Sequence, residues 1–257
     1  MGAKTALLAF SDGDIRPALQ GATRSDLAEA EALVRQVHQD YVERSYAVDG
    51  IGESSLDDCY PPDDVTCATV LPGAELLCDR RFMLDRPSEL PEHILSLAGD
   101  RRVILHAMHS VVDWLAFAVW EDGTLVRSLS LSPDSGILEN IGEPYDFELP
   151  YWAGEHPVVP MPDWPSKGPY PLPFHPLELG EDALRALFGF ILEGYPHPDD
   201  IDPDGVHMHK FRVSDPTGQE QAERKAAMER AVAQMGPPRR FRMGSDGTLH
   251  EITPANP

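Results

Sequence analysis

The central part of the chain carries a strong β-strand pattern. Residues 102–109, 114–120 and 124–130 are rich in Val, Leu, Phe and Trp, side chains that strands favour. The last two runs are separated by Glu121-Asp122-Gly123, which is typical of a tight hairpin turn. We therefore predict an antiparallel meander of three strands, and any fold of this chain has to be built around it.

The flanking sequence predicts helices as well as a further strand. Apolar residues recur at helical spacing in residues 25–42 and 180–194, and a shorter helical pattern over residues 91–98 ends at Gly99. Residues 5–10 are a short apolar run and indicate a buried strand. The expected fold class is α+β, a mainly antiparallel sheet with two or three helices on one face. An α/β sandwich, in which the first strand and helix begin a parallel unit, is the alternative.

A segment rich in proline and aromatic residues follows the meander. Ten of the 25 prolines lie in residues 144–176, interleaved with Tyr, Phe and Trp. A flexible linker would contain Gly and Ser rather than aromatic rings, so we predict a rigid segment that wraps over the domain. We expect one compact domain over residues 1–212, including this segment. Residues 213–257 are predicted to form a polar helix and a hairpin, as a loosely attached tail.

The chain is strongly acidic. Lys and Arg number 21 against 43 Asp and Glu, which gives a formal net charge of -22. Nucleic acids and anionic membranes attract positive charge, so we exclude both as main partners and favour a basic protein. The longest apolar stretch, residues 111–120, is interrupted by Asp113 and is too short to span a bilayer. The three cysteines form no Cys-x-x-Cys pair and no signal-peptide pattern is present, so we expect a cytoplasmic protein.

Asp12 and Asp14 follow the first predicted strand and form the first candidate site. Two carboxylates at the end of a buried strand can hold a hard cation, or act in a phosphatase of the haloacid dehalogenase type. In that type of enzyme the glycine follows the second aspartate, whereas here Gly13 lies between the two. A plain turn uses the same residues, and we favour that interpretation.

His106, His109 and Asp113 form the second candidate site. On a helix, this spacing would place all three side chains on one face as a metal-ligand set. The segment is predicted to be strand, turn and strand, and residues three apart on a strand point to opposite faces. We therefore expect His106 to be a core histidine and Asp113 to cap the hairpin.

The third candidate site lies in the segment rich in proline and aromatic residues. An exposed aromatic surface could hold a ligand or dock a partner, because aromatic side chains are enriched at interface hot spots. The alternative is that these rings only cover the sheet. The candidate binding residues are Tyr151, Trp152, Glu155, His156 and Trp164.

Several segments of the chain have a distinctive sequence. They include Met1-Gly-Ala-Lys-Thr, Ser11-Asp-Gly-Asp and His106-Ala-Met-His-Ser-Val-Val-Asp-Trp. With these segments the chain resembles an uncharacterised bacterial family known only as a domain of unknown function, over roughly residues 1–215. The resemblance implies family membership, and it carries over no activity, cofactor or catalytic residue.

Two functional hypotheses remain open. The sequence has no Gly-x-Ser-x-Gly elbow and no glycine-rich phosphate loop, which favours a protein that is not an enzyme. The first hypothesis is a non-catalytic cytoplasmic binding or regulatory protein, whose acidic surface recognises a basic partner. The second is a metal-assisted hydrolase that uses Asp12, Asp14, His106 and His109. No cofactor is predicted, and a divalent metal enters only with the second hypothesis.

Overall fold

The computed structural model describes residues 2–39, 48–159, 170–213, 217–234, 240–243 and 249–252. It combines helices with a large antiparallel sheet, which confirms the α+β fold class. The chain divides into two units. One consists of Met1–Val158 and Pro171–Ser214, and the other of Val159–Tyr170 and Asp215–Pro257.

The described residues of the first unit form one open sheet of nine strands. Their order across the sheet is β2-β9-β3-β4-β1-β5-β6-β7-β8. The strands are β1 (Lys4–Ser11), β2 (Val48–Ser55), β3 (Val65–Leu71), β4 (Ala74–Cys78), β5 (Arg102–His109), β6 (Trp114–Glu121), β7 (Thr124–Ser132), β8 (Gly136–Ile141) and β9 (His207–Val213).

All pairs of neighbouring strands in this sheet are antiparallel. The meander of β5, β6 and β7 is therefore confirmed. The parallel unit of the alternative α/β sandwich does not form in the described residues, because β1 lies between β4 and β5 and runs antiparallel to both. The first strand is thus the centre of the sheet rather than the start of a parallel repeat.

Five helices accompany the sheet in the described part of this unit. The helix α2 begins after Asp26, whose side chain accepts hydrogen bonds from the backbone N–H groups of Ala28 and Glu29. The helix predicted over residues 180–194 begins four residues earlier, because His175 and Pro176 form a helix start that the apolar spacing does not reveal. The helices are α1 (Arg16–Gln20), α2 (Leu27–Val37), α3 (Glu92–Ala98), α4 (Leu149–Trp152) and α5 (Pro176–Phe188).

Helices pack on both faces of the sheet. Leu8 and Leu105 share a core cluster with residues of α2 and α3. His106 follows Leu105 on β5, so its side chain lies on the opposite face of the sheet. There its ring donates a hydrogen bond to the Gly180 carbonyl of α5. This arrangement differs from the expected single helical face. The reason is that the central strands are apolar on both sides, and each side needs a cover.

Three strands of the sheet have no clear strand pattern in the sequence. β2 and β8 are the two edge strands, and most of their residues are exposed or half-buried. Without a buried face, such strands lack the alternation of apolar and polar residues from which a strand is predicted. β9 alternates, but polar and charged residues fill much of it.

In the second unit the structure describes a helix and a hairpin. These are α6 (Gln219–Gln234) and the antiparallel strands β10 (Arg240–Met243) and β11 (Leu249–Ile252). The predicted polar helix and hairpin are both found here. Among the described residues of the whole chain, none of the helices has the length and apolar character needed to cross a membrane.

Candidate functional site

Turns at one end of the central strands surround an open acidic depression of 530 Å³. Asp12 directly follows β1, Asp100 precedes β5, and the Glu121-Asp122 turn joins β6 to β7. Because β1, β5 and β6 are antiparallel neighbours, the end of one strand meets the start of the next at this edge. The acidic depression is lined by Asp12, Gly13, Asp14, Asp100, Arg101, Arg102, Glu121 and Asp122.

Two of the five carboxylates in the acidic depression are paired with arginine. Asp14 forms a bidentate ion pair with Arg16, and the hydrogen bond from this guanidinium is the main reason why the pKa of Asp14 is lowered. Glu121 lies 3.6 Å from Arg102.

The other three carboxylates of the acidic depression have no ion-pair partner in the part of the chain that the structure describes. Asp12, Asp100 and Asp122 are exposed and form no ion pair with any residue that the structure describes. Arg101, on the rim, is already engaged by Glu75 at 3.1 Å. The depression therefore carries negative charge that its own arginines do not neutralise.

Turn geometry explains why aspartate and glycine concentrate at this edge. Asp122 has a φ of 49° and Gly123 a φ of 71°, a left-handed conformation that Asp, Asn and Gly adopt most readily. The sequence therefore predicts the turn. It does not indicate a site there, because aspartate and glycine are equally typical of a turn without a function. Asp100, Glu121 and Asp122 were not candidates, because only the register of β1, β5 and β6 brings them beside Asp12.

The second predicted candidate set is divided between different parts of the sheet. His106 is fully buried, with Nδ1 2.8 Å from Thr5 Oγ1 and Nε2 2.9 Å from the Gly180 carbonyl. His109 lies on the opposite face, with its ring centroid 5.6 Å from that of Tyr60. Asp113 has a φ of 47° in the turn and lies 3.6 Å from His175. The stretch is extended, as predicted, and it brings no ligand set together.

The residues assigned to the hydrolase hypothesis do not converge. Ser11 pairs with Arg102, whereas His106 pairs with Leu7. Asp12 is therefore more than four residues from His106 along the strand, which corresponds to at least about 13 Å. One ion cannot bridge that distance, because metal–ligand bonds to nitrogen and oxygen are about 2 Å long.

The aromatic candidates pack mainly against one another. The Tyr151 ring is buried and stacks on His156 with centroids 4.1 Å apart, and its hydroxyl donates to Asp182. Trp152 meets Phe174 edge-on at 5.0 Å. Burial, with the Asp182 carboxylate, raises the pKa of Tyr151. These contacts are those of a covering segment.

The same candidate set also contains Glu155 and Trp164. Glu155 is exposed, whereas Trp152 and His156 are half-buried, so the glutamate is the most exposed of the residues of this set that the structure describes. Trp164 lies outside the residues that the structure describes.

A buried ionic cluster lies beneath the C-terminus of α2. Asp79 accepts hydrogen bonds from Thr66, Arg81 and the His38 ring. Burial alone would raise the pKa of Asp79, but the hydrogen bond from His38 and the charges of His38 and Arg81 lower it. This aspartate directly follows β4 and ties α2 to the sheet, so we interpret the cluster as structural.

Only one group of side chains in the described residues offers three metal ligands close together. It consists of Glu53, His207 and His209, whose ligand atoms lie within 4.8 Å of one another. None of them was a candidate in the sequence analysis. The signal that could have found them is the His-x-His spacing on β9, because residues two apart on a strand share a face.

The family comparison matches most of the chain. The model of the Family of unknown function (DUF6928) matches residues 5–211. This chain belongs to that family. The resemblance to a family of unknown function is thereby confirmed. No curated protein and no solved structure matches the chain.

The DUF6928 match covers nearly all of the large sheet. It includes every residue of the acidic depression as well as Glu53, His207 and His209, and it excludes α6, β10 and β11. Both polar sites therefore lie in the DUF6928 region of the chain.

Proposed function

We propose that this protein is a non-catalytic cytoplasmic binding or regulatory protein that recognises a basic segment of a partner protein at the acidic depression. The observation that carries the proposal is the set of three unpaired exposed carboxylates, Asp12, Asp100 and Asp122, around one opening of 530 Å³. A lysine or arginine side chain can enter such an opening and pair with more than one carboxylate.

The charge of the whole chain supports the same partner class. With a net charge of -22, the protein attracts cationic partners over a distance of about one Debye length and repels nucleic acid. Long-range charge increases the association rate but gives little specificity. Under this proposal, specificity comes from the local carboxylates at the turns of β1, β5 and β6.

The shape of the depression also favours a side chain over a small metabolite. Sites for small molecules are usually enclosed and largely apolar. The acidic depression is open and is lined by charged residues with one glycine. A basic peptide segment can lie across it and remain partly in solvent.

The experiment is a binding titration of the full chain with a synthetic peptide rich in arginine and glycine. The test variant is Asp12→Asn, Asp100→Asn, Asp122→Asn, and Asn suits the left-handed backbone at residue 122. The matched control, Asp49→Asn, Asp85→Asn, Asp134→Asn, removes the same charge at exposed positions outside the depression. We expect the test variant to lose about tenfold in affinity or more, and the control to lose much less.

Equal losses in the two variants would mean that only net charge is recognised, and the proposed site would then be wrong. A second requirement is salt dependence. Binding should weaken between about 0.05 M and about 0.5 M NaCl, because the pairs form at a solvated surface.

A further inference from the structure

Two histidines and a glutamate meet at the β2–β9 edge of the sheet. His207 and His209 are two residues apart on β9 and so share a face, and their ring centroids are 4.6 Å apart. On the neighbouring strand β2, Glu53 is the register partner of His209. The cluster shares no residue with the acidic depression.

Both ring nitrogens of His207 are buried and form no hydrogen bond with any residue that the structure describes. Leaving a buried polar atom without a hydrogen bond costs about 1–3 kcal/mol. A ligand bound to this ring would remove that cost. The contact between His207 Nε2 and Glu53 Oε2 is 3.4 Å long.

The ring of His209 is oriented by the backbone. Its Nε2 lies 2.9 Å from the carbonyl oxygen of Ser25, the residue before the N-cap of α2. A carbonyl only accepts hydrogen bonds, so Nε2 carries the proton and the lone pair is on Nδ1. Metal-binding histidines typically donate their other N–H group in this way, which fixes the ring.

The separations within the cluster suit a four-coordinate ion. With bonds of about 2.0–2.1 Å, neighbouring ligand atoms around tetrahedral zinc lie about 3.3 Å apart. The 3.4 Å between His207 Nε2 and Glu53 Oε2 already matches this value. The Glu53 side chain is 51% exposed, so its carboxylate can rotate toward the ion, and all three ligand atoms already lie within 4.8 Å of one another.

We propose that Glu53, His207 and His209 bind one divalent transition-metal ion of the zinc class, with one coordination position open to solvent. Imidazole nitrogen is a ligand of borderline hardness, and a site with two imidazoles selects such ions over Ca²⁺ or Mg²⁺, which prefer oxygen ligands. Arg24 donates to Oε1 of Glu53 and leaves Oε2 turned toward His207. Arg24 thus positions the carboxylate while its charge partly opposes that of the ion.

The test uses the full chain, stripped of metal by a chelator and titrated with Zn²⁺ by calorimetry and with Co²⁺ by visible absorption. The variants are Glu53→Gln and His207→Asn, both at positions that are not fully buried. The matched control is His197→Asn, which alters a histidine 3.5 Å from Asp199 that has no third ligand in the described residues. Circular dichroism verifies that each variant is folded.

We expect one equivalent of Zn²⁺ per chain, and an affinity at least about tenfold lower in each variant than in the control. Co²⁺ bound at this site should give the weak bands of nitrogen and oxygen ligands. Three outcomes would each overturn the proposal. These are the absence of stoichiometric binding, equal affinity in the variants and the control, and an intense thiolate band that assigns the ion to cysteine.

Discussion

Two polar regions of the large sheet differ in how their charged side chains are buried and paired. Arg127 of β7 is fully buried and forms a bidentate ion pair with Glu148 at 2.8 and 2.6 Å. The same guanidinium donates to the side chain of Asn140 and to the Ile141 carbonyl. In the acidic depression, Asp12, Asp100 and Asp122 are exposed and have no such partner in the described residues.

The comparison shows where uncompensated charge is tolerated in this protein. A buried charge costs several kcal/mol unless it is paired and hydrogen-bonded, so each oxygen of Glu148 has at least one donor. An exposed carboxylate keeps its hydration and needs no partner. Each charge of the buried pair therefore depends on the other, while the exposed carboxylates of the acidic depression remain available for a ligand.

The largest effect is expected when one member of the buried pair is removed. Glu148→Gln leaves Arg127 buried without its counter-charge, and we expect the free energy of unfolding to fall by about 3–5 kcal/mol. Urea denaturation measures the change. The control is Glu143→Gln, an exposed glutamate five residues earlier, which should change stability by no more than about 0.5 kcal/mol. Equal effects in the two variants would contradict the contrast between the regions.

The buried His106 makes the free energy of unfolding depend on pH. Burial lowers the pKa of His106 to about 4, despite the hydrogen bond to Gly180, whereas a histidine in the unfolded chain titrates near 6.5. Between these values the unfolded state binds a proton that the folded state does not. The free energy of unfolding therefore falls as the pH falls through this window, and the full contribution is present above about pH 6.5.

From about pH 7 to about pH 5, the His106 contribution amounts to a loss of about 2 kcal/mol. His106→Gln should remove that part of the pH dependence, although the variant is less stable at about pH 7 because the buried hydrogen bonds change. Urea denaturation at the two pH values measures it. His197→Gln, at a position 64% exposed, should keep the wild-type slope. An unchanged slope in His106→Gln would disprove the assignment.

The fold was predictable where local pattern and burial agree. β5, β6 and β7 follow their apolar runs, and the turn residues between β6 and β7 determine the hairpin. β2 and β8 were not predictable, because exposed edge strands carry no buried face. The placement of helices on both faces was also missed. It depends on the strand order, and alternation within one strand does not show which helix covers which side.

The candidate sites were less predictable than the fold. Asp12 and Asp14 were candidates, with a plain turn as the favoured interpretation, and the residues that complete the depression come from distant turns. His106 was correctly expected to be a core histidine, because it lies within an apolar strand that is buried on both faces. The partners of Glu53 on β9 lie more than 150 residues away. Only the pairing of β2 with β9 brings the three side chains together.

A smaller effect on stability is expected in the acidic depression itself. The triple variant Asp12→Asn, Asp100→Asn, Asp122→Asn should change the free energy of unfolding by less than about 1 kcal/mol, in the stabilising direction at low salt. The reason is that neighbouring like charges repel one another and salt screens the repulsion. Urea denaturation at about 0.05 M and about 1 M NaCl tests this. A large destabilisation at both salt concentrations would mean that these carboxylates are structural.

The smallest effect is expected at the one aspartate of the depression that has a close arginine partner. Asp14 and Arg16 form a bidentate pair, but both side chains are about half exposed, at 45% and 51%. Exposed pairs contribute about 0.2–1 kcal/mol, so Asp14→Asn should cost about 0.5 kcal/mol or less. The pKa of Asp14 is lowered, chiefly by the hydrogen bond from Arg16. The contribution is therefore present above about pH 4 and is lost as the pH falls through the folded pKa.

Denaturation of wild type and Asp14→Asn at about pH 7, at low and at high salt, measures the contribution of this pair. High salt should remove most of the difference, because the pair is solvated. The difference in the free energy of unfolding between wild type and Glu148→Gln should persist at high salt, because the Arg127–Glu148 pair is buried and salt ions do not reach it. If the difference in the free energy of unfolding between wild type and Asp14→Asn also persisted at high salt, burial would not be what determines the strength of ion pairs in this protein.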